Sequence, residues 1–229
     1  MKTSTRVFAR GLAGVLMALA LGASAGGAQG LADYDYDELT FRGIGFELGY
    51  IFPEKVEDAL QYGMRFDLGY LGPGVRILPR VGYFSSSMTR SEVMKLENRV
   101  AELVFDQNPL APLPSLDLGV IDWSAVTVGV DGQFVWRVPF GVLTYLGGGV
   151  AAHFQNGSGE AIDGTFVEDL LDSTVAGFNV HAGLEYPLSS LVRVFGDARY
   201  EFLGDLRFGA LRGGIQMMIG GAAPGEVRP

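Results

Sequence analysis

The chain contains no cysteine, so neither a disulfide framework nor a thiolate metal site can form. After residue 28 it also lacks an apolar run long enough for a membrane helix, which leaves strands as the means of crossing a bilayer. Basic residues are scarce, because 17 Lys and Arg stand against 26 Asp and Glu, for a net charge of −9. An acidic chain without a basic cluster argues against nucleic acid as a partner.

Residues 1–28 have the pattern of a secretory signal peptide. Three basic residues within the first ten positions precede the apolar run Gly11–Leu21, and the small residues Ala23–Ala25 supply a cleavage site. The apolar run is shorter than a membrane anchor needs. We therefore expect export and cleavage, and because the segment holds no acid, its loss lowers the net charge from −9 to −12. An acidic N-terminal segment, residues 29–40, follows.

Apolar residues then recur at every second position. In Ile44–Tyr50 the even positions are apolar and the odd positions are Gly or Glu, and Tyr62–Tyr70 repeats the scheme. Since successive strand side chains point to opposite faces, each segment has one apolar face and one polar or small face. Glycine, at 34 of 229 residues, is about twice as frequent as usual and lies mainly within these runs. Absent side chains suit a narrow lumen or a sharp bend.

Eight segments follow this pattern, each near the length of a tilted transmembrane strand. They are Phe41–Phe52, Tyr62–Leu71, Val75–Phe84, Trp123–Trp136, Val142–Phe154, Thr174–Tyr186, Leu191–Phe202 and Phe208–Ile219. Short, turn-rich connections alternate with much longer ones, of which Ser85–Asp122 is the longest, and Leu203–Arg207 is a short exception. Short periplasmic turns and long outer loops are typical of outer-membrane barrels.

The proposed outward face carries no charge. Its members are Ile44, Phe46, Leu48, Met64, Phe66, Leu68, Val75, Ile77, Val81, Val126, Val128, Val130, Leu146, Val150, Phe178, Val180, Leu184, Val192, Val194, Leu211, Ile215, Met217 and Ile219. A lysine or arginine at the lipid midplane costs about 2–4 kcal/mol, so an uncharged face suits lipid. A soluble ligand-binding barrel would show the opposite arrangement, polar outside and apolar inside.

Aromatic residues concentrate near strand ends. Because such rings prefer the headgroup level of a bilayer, we expect them to form two interfacial girdles. The expected members are Tyr50, Tyr70, Tyr83, Trp123, Trp136, Tyr186 and Tyr200.

Segments such as Tyr145–Val150 and Glu185–Pro187 make the chain resemble the small outer-membrane β-barrel proteins, the group around the outer-membrane-protein A barrel domain. The resemblance implies an all-β fold, an eight-stranded antiparallel up-and-down transmembrane β-barrel over residues 41–219, in the outer membrane of a Gram-negative cell. That group shares a fold more than a function. One departure is the tail, residues 220–229, because such barrels usually end on an aromatic residue that the assembly machinery recognises.

The inward face carries balanced charge and two histidines. The predicted lumen network consists of Glu47, Arg65, Asp67, Arg76, Arg80, Asp131, His153, His181, Glu185, Arg193, Asp197, Arg199, Glu201 and Arg212. An eight-stranded barrel is only wide enough for side chains to fill it, and buried charges must pair. We therefore predict a salt-bridged, closed lumen; a narrow small-solute channel is the alternative.

The histidines raise the further alternative of an outer-membrane lipid-modifying enzyme. Such an enzyme uses a histidine with a serine and an acid within hydrogen-bond reach. No serine lies two residues from His153 or His181, so we predict that both form hydrogen bonds in the lumen and that the chain has no catalytic residues. Two histidines are too few for a zinc site, and we expect no metal and no cofactor.

The second outer loop contains an amphipathic stretch. Arg90–Val104 places apolar residues at helical spacing among charged ones, which predicts a short helix. The helix either caps the barrel mouth or presents its apolar stripe to the outer leaflet or a partner. The sequence thus predicts a monomeric, non-enzymatic barrel with a structural or surface-interaction role. Its expected partners are outer-membrane lipid and a surface or periplasmic protein.

Overall fold

The computed structural model describes residues 39–72, 74–107, 112, 116–204 and 206–219. The predicted signal peptide, residues 1–28, and the tail, residues 220–229, lie outside the described residues. The same holds for residues 29–38 of the acidic N-terminal segment.

Antiparallel strands make up most of the described chain. They are β1 (Gly43–Pro53), β2 (Ala59–Asp67), β3 (Tyr70–Gly72), β4 (Val75–Ser87), β5 (Asp122–Arg137), β6 (Leu143–Ser158), β7 (Ser173–Pro187), β8 (Val192–Leu203) and β9 (Arg207–Met218). Strands that are neighbours in the chain pair with each other, except β2 and β3, and the β1–β9 and β2–β4 pairings close the sheet. Strands β2 and β3 both pair with β4 and are two parts of one interrupted barrel strand, so the nine strands make eight around the barrel. The result is a closed eight-stranded up-and-down barrel, and the predicted fold class is confirmed.

The break between β2 and β3 is the main departure from the predicted strands. Gly69 has a φ of +77°, which glycine adopts without strain, and its N–H donates to Asp67 Oδ1 at 2.8 Å. Across this break the register against β4 shifts by one residue, from Arg65 opposite Arg80 to Tyr70 opposite Arg76. Because a slip of one residue exchanges the two faces of a strand, Tyr70 turns into the lumen and is buried. The prediction that Tyr70 belongs to the outer girdle is therefore wrong.

Burial alternates along the strands in the predicted sense. Along β1, Phe46 and Leu48 are exposed while Glu47 is buried, and along β5 Val128 and Val130 are exposed while Asp131 is buried. Every member of the predicted outward face is exposed or half-buried. The barrel is thus apolar outside and polar inside, the reverse of a soluble ligand-binding barrel.

Two α-helices lie in the long connections. Helix α1 (Arg90–Gln107) confirms the predicted helix and extends it by three residues, whereas α2 (Phe166–Leu171) was not predicted. The hydroxyl of Thr165 accepts a hydrogen bond from the Val167 N–H and caps α2 at its N-terminus. A single 3₁₀ turn, Pro139–Gly141, joins β5 to β6. Neither α1 nor α2 combines the length and apolarity needed to cross a bilayer.

Helix α1 packs against its own chain. Val93 and Val100 of α1 join Ile121, Ile162 and Leu171 in one buried cluster, which ties α1 to α2 and to the segment before β5. The apolar stripe of α1 is therefore covered by the other outer loops from Val93 to Val100, whereas Leu103 and Val104 stay exposed, and the covered part suits a cap on the barrel mouth.

Glycine allows large side chains to fill the lumen. A Cβ on Gly183 would lie 2.5 Å from Cζ and the hydroxyl oxygen of Tyr145, which is fully buried. Such a distance is well inside van der Waals contact, so the Tyr145 ring occupies the space that a side chain at position 183 would need.

We predict that Gly183→Ala lowers the free energy of unfolding by about 1–3 kcal/mol, because the added methyl displaces a packed ring. Urea titration of the refolded protein, followed by the gel shift between folded and heated barrels, measures the change. Gly72→Ala is the matched control, since a Cβ there meets nothing within 4 Å. Equal stabilities of the two variants would contradict the prediction.

Candidate functional site: the barrel lumen and its outer mouth

The lumen holds a neutral set of buried charges. All fourteen residues predicted for the lumen network are buried, and the most accessible of them, Glu47, is 8 % exposed. They comprise six carboxylates, six arginines and the two histidines. The structure brings the charged residues together in three groups at different heights along the barrel.

The first group surrounds Glu185 near the short-turn end. The Glu185 carboxylate accepts hydrogen bonds from Arg76 at 2.9 Å, Arg193 at 2.8 Å and Arg65 at 3.2 Å. Asp67 lies 3.5 Å from Arg76 as a second acid. One fully buried carboxylate thus joins arginines from β2, β4 and β8.

Neutral side chains complete this group. Arg76 also donates to Gln133 Oε1 at 2.7 Å, Gln216 Nε2 donates to Asp67 at 2.8 Å, and the Arg65 guanidinium lies 3.3 Å from the centroid of the Phe195 ring. Gln133 and Gln216 are lumen residues that the sequence-based prediction did not include. Gln133 has the same strand parity as Asp131, so alternation could have found it; only its lack of charge hid it.

The second group is centred on Arg212. Its guanidinium donates to Glu47 at 2.8 Å and to both carboxylate oxygens of Asp197 at 2.9 Å. The Tyr145 hydroxyl donates to Asp197 at 3.2 Å. The two-point contact between Arg212 and Asp197 is the stronger geometry for such a pair.

The third group lies nearer the outer mouth. Arg80 donates to Glu201 at 2.5 Å, and Arg199 is paired with Asp131 and lies 3.3 Å from Glu201. Arg80 Nε also lies 3.4 Å from Asp131. Two acids and two arginines from β4, β5 and β8 therefore alternate in one connected cluster.

An apolar plug fills the outer end of the barrel above the third group. We give this name to the buried cluster of Ile51, Val56, Phe84, Trp123, Ala125, Leu203, Leu206, Phe208 and Ala210. The rings of Phe84 and Phe208 meet edge to face with centroids 6.0 Å apart. A smaller cluster of Tyr70, Val135, Leu143 and Tyr145 lies toward the short-turn end. Side chains thus fill the lumen from end to end.

Trp123 belongs to this plug, so its predicted place in the outer girdle is wrong. The side chain is 9 % exposed. Its odd position matches the inward residues Ala125 and Asp131, whereas the outward residues of β5 are at even positions. Position near a strand end suggested the girdle, but parity decides which face a side chain occupies. The other five predicted girdle residues, Tyr50, Tyr83, Trp136, Tyr186 and Tyr200, are exposed or half-buried on the outer face.

Both histidines form hydrogen bonds inside the lumen. His181 Nδ1 lies 2.8 Å from Asn179 Oδ1 and its Nε2 lies 3.1 Å from Gln133 Nε2. His153 Nδ1 lies 2.9 Å from the hydroxyl of Thr127, its direct partner across the strand pair, and Nε2 lies 3.9 Å from Glu201. Spacing along one strand cannot predict this hydroxyl, because its position beside His153 depends on the register between β5 and β6.

The Thr127–His153–Glu201 set has the residue types of a catalytic triad but not its setting. Thr127 has no exposed surface, and the plug residue Phe208 lies against His153, with ring centroids 6.5 Å apart. The contact between His153 and Glu201 is longer than a hydrogen bond. Substrate has no path to the Thr127 hydroxyl in this arrangement. Within the described residues no group of three or more potential metal ligands comes together.

No protein-family model matches the chain. No curated protein matches it either. Several solved structures do. Neisserial surface protein A is 15 % identical, with 78 % of this chain and 97 % of that chain covered and a TM-score of 0.49. A major outer membrane protein from Thermus thermophilus is 13 % identical, covering 78 % and 99 %, with a TM-score of 0.45. Ail, the attachment invasion locus protein of Yersinia pestis, is 10 % identical, covering 80 % and 100 %, with a TM-score of 0.44.

We predict that Glu185→Gln destabilises the barrel by about 3–5 kcal/mol, because three buried arginines lose their common carboxylate. Urea titration with the heat-dependent gel shift measures the loss. Glu160→Gln is the control, since Glu160 is an exposed acid of an outer loop.

A second substitution sharpens this test. Adding Arg193→Gln to Glu185→Gln removes one of the uncompensated charges, so the double variant is expected to regain part of the lost stability. A Glu185→Gln variant as stable as Glu160→Gln would show that the lumen charges do not hold the barrel together.

Proposed function

We propose that the chain is an integral outer-membrane β-barrel with a closed lumen, and that it acts through its outer loops in a structural or surface-interaction role. The observation that carries the proposal is that the barrel is apolar outside and charged inside, the reverse of a soluble barrel. Fourteen ionisable side chains are buried inside, while large apolar side chains are exposed outside along the strands. A contiguous exposed apolar surface of this kind needs a covering, and lipid covers it without a partner protein.

The outer aromatic residues support a membrane setting. Near the loop end, Tyr50 and Phe52 lie together, and Phe178 stacks on Phe202 with ring centroids 4.6 Å apart. Phe134 and Trp136 lie together near the short-turn end, and Tyr186 is exposed there. We propose that these two bands mark the two membrane interfaces, with residues 1–28 directing export and the barrel inserting as a monomer.

We predict that Val128→Arg impairs assembly, because it places a charge midway along β5 on the proposed lipid face, at a cost of about 2–4 kcal/mol. The measurement is the share of expressed protein that is found in the outer membrane and shows the heat-dependent gel shift. Val120→Arg is the matched control, since Val120 is exposed just before β5, outside the strands. Equal assembly of both variants, or recovery of the wild type as a soluble periplasmic protein, would contradict a lipid-facing surface.

The closed lumen supports a non-conducting and non-enzymatic role. Paired charges fill the middle of the barrel and the apolar plug fills its outer end, so a water-filled path has no room. Among the described residues, the hydroxyl that lies within hydrogen-bond distance of a lumen histidine is that of Thr127, beneath the plug. The surface left for contact with other molecules is formed by the long connections that carry α1 and α2. There we place a partner of the surface-protein class.

We predict that the purified wild-type protein gives no steady conductance steps in planar lipid bilayers. Three groups of paired charges bridge the lumen, and moving their members apart would leave charges unpaired. A sixteen-stranded porin reconstituted in parallel is the positive control. Regular, protein-dependent steps from the wild type would overturn the closed lumen while leaving the membrane location intact.

A further inference from the structure

A cavity of about 500 Å³ lies at the outer mouth, between the apolar plug and the loop helices. Its volume falls within the range of about 300–1,000 Å³ that is usual for small-molecule sites. Much of its wall is apolar, and Met88, Leu96, Leu170, Leu203 and Leu206 contribute to it. Volume and lining suit a flexible alkyl chain.

A buried donor without a partner belongs to the same cavity. Trp123 lines it, and the indole Nε1 of Trp123 is inaccessible and has no hydrogen-bond partner among the described residues. Buried indole N–H groups usually find an acceptor, and an unpaired one is costly. Because no acceptor atom can reach an inaccessible nitrogen, Trp123 serves in this cavity as an apolar wall residue.

The charges around the cavity are unbalanced. Lys55 and Arg99 both line it, and neither forms an ion pair with any described residue. The acid in the lining, Glu92, is held by Lys95, whose Nζ lies 2.5 Å from Glu92 Oε1. The described part of the cavity wall therefore presents two free cations beside a neutralised acid, which favours an anionic ligand.

We propose that this cavity binds a fatty carboxylate. Its alkyl chain would lie against the apolar wall, and its carboxylate would take Lys55 and Arg99 as donors. The inference goes beyond the role proposed above and does not depend on it, because it rests on the outer mouth alone.

Tryptophan quenching tests the site directly. The chain has two tryptophans, Trp123 in the cavity wall and Trp136 near the opposite end of the barrel. Full-length Trp136→Phe and Trp123→Phe variants, placed in phosphatidylcholine nanodiscs, each keep one reporter. Titration with ω-bromododecanoate is expected to quench Trp123 saturably, with reversal by unlabelled dodecanoate. Trp136 reports only partitioning of the probe into the bilayer.

The charge dependence identifies the donors. In the Trp136→Phe background, Lys55→Met and Arg99→Gln are each expected to weaken binding about fivefold, as loss of a solvent-accessible charge contact does. Arg90→Gln, the same change at an exposed position of α1 outside the lining, should leave binding unchanged. The uncharged analogue ω-bromododecanol should bind more weakly than the carboxylate.

Three results would overturn the proposal. The first is unsaturable quenching of Trp123 that matches Trp136, and the second is binding unaffected by both charge variants. The third is displacement by phosphatidylglycerol in the disc but not by dodecanoate, which would assign the cavity to a membrane lipid. The heat-dependent gel shift confirms that each variant is folded, so these results would leave the proposed closed barrel standing.

Discussion

The narrowness of an eight-stranded barrel is the constraint on which the rest of the structure depends. The interior is wide enough for side chains and too narrow for bulk water, so each charge that enters it must find a partner there. The strands follow one another around the barrel in chain order, with β2 and β3 sharing one of the eight positions. Strand β4 therefore lies opposite β8, and β2 lies opposite β7. The pairs Arg80–Glu201 and Arg65–Glu185 therefore span the lumen and connect opposite walls.

This arrangement changes what stabilises the molecule. In a soluble barrel the apolar interior supplies the hydrophobic contribution, whereas here most large apolar side chains along the strands point outward. Inside, apolar contact is confined mainly to the plug and to the cluster around Tyr145. Paired charges and hydrogen-bonded amides occupy the space between them. Removing one member of a pair is costly because its partner stays buried and charged.

Much of the fold could be predicted from the sequence because strand alternation is a local property. The residues of each segment indicate which of its two faces is apolar, and the spacing of apolar residues within Arg90–Val104 likewise predicts a helix. Prediction failed where the backbone departs from regular alternation. Tyr70 follows Gly69, whose positive φ accompanies the change of face, but glycine is too frequent in these strands for Gly69 to predict the slip. Trp123 lies near the end of β5, as a girdle residue would, but its strand parity is that of the inward residues and it is buried.

The composition of the lumen was predictable, but its pairing was not. The equal numbers of acidic and basic lumen residues follow from counting charges, and their burial follows from the alternation of side chains along each strand. The partner of each side chain, however, depends on how the sheet closes. Thr127 meets His153 only because β5 and β6 are paired in one particular register. Glu185 gathers Arg65, Arg76 and Arg193 from three strands whose heights are set by the tilt of the closed barrel. Such contacts are properties of the assembled cylinder, and no single strand contains them.

Closure of the lumen also determines where function can reside. The plug separates the charged interior from the outer mouth, so changes in the long connections need not disturb the ion pairs beneath. Helix α1 is held to α2 by a cluster distinct from the plug, and the cavity lies where residues from both meet. The plug includes the loop residues Val56 and Leu206, and Met88 packs against both clusters, so the loops and the barrel mouth form one packed unit around an apolar cavity edged by Lys55 and Arg99. A binding role at the outer mouth is thus compatible with a lumen filled by side chains.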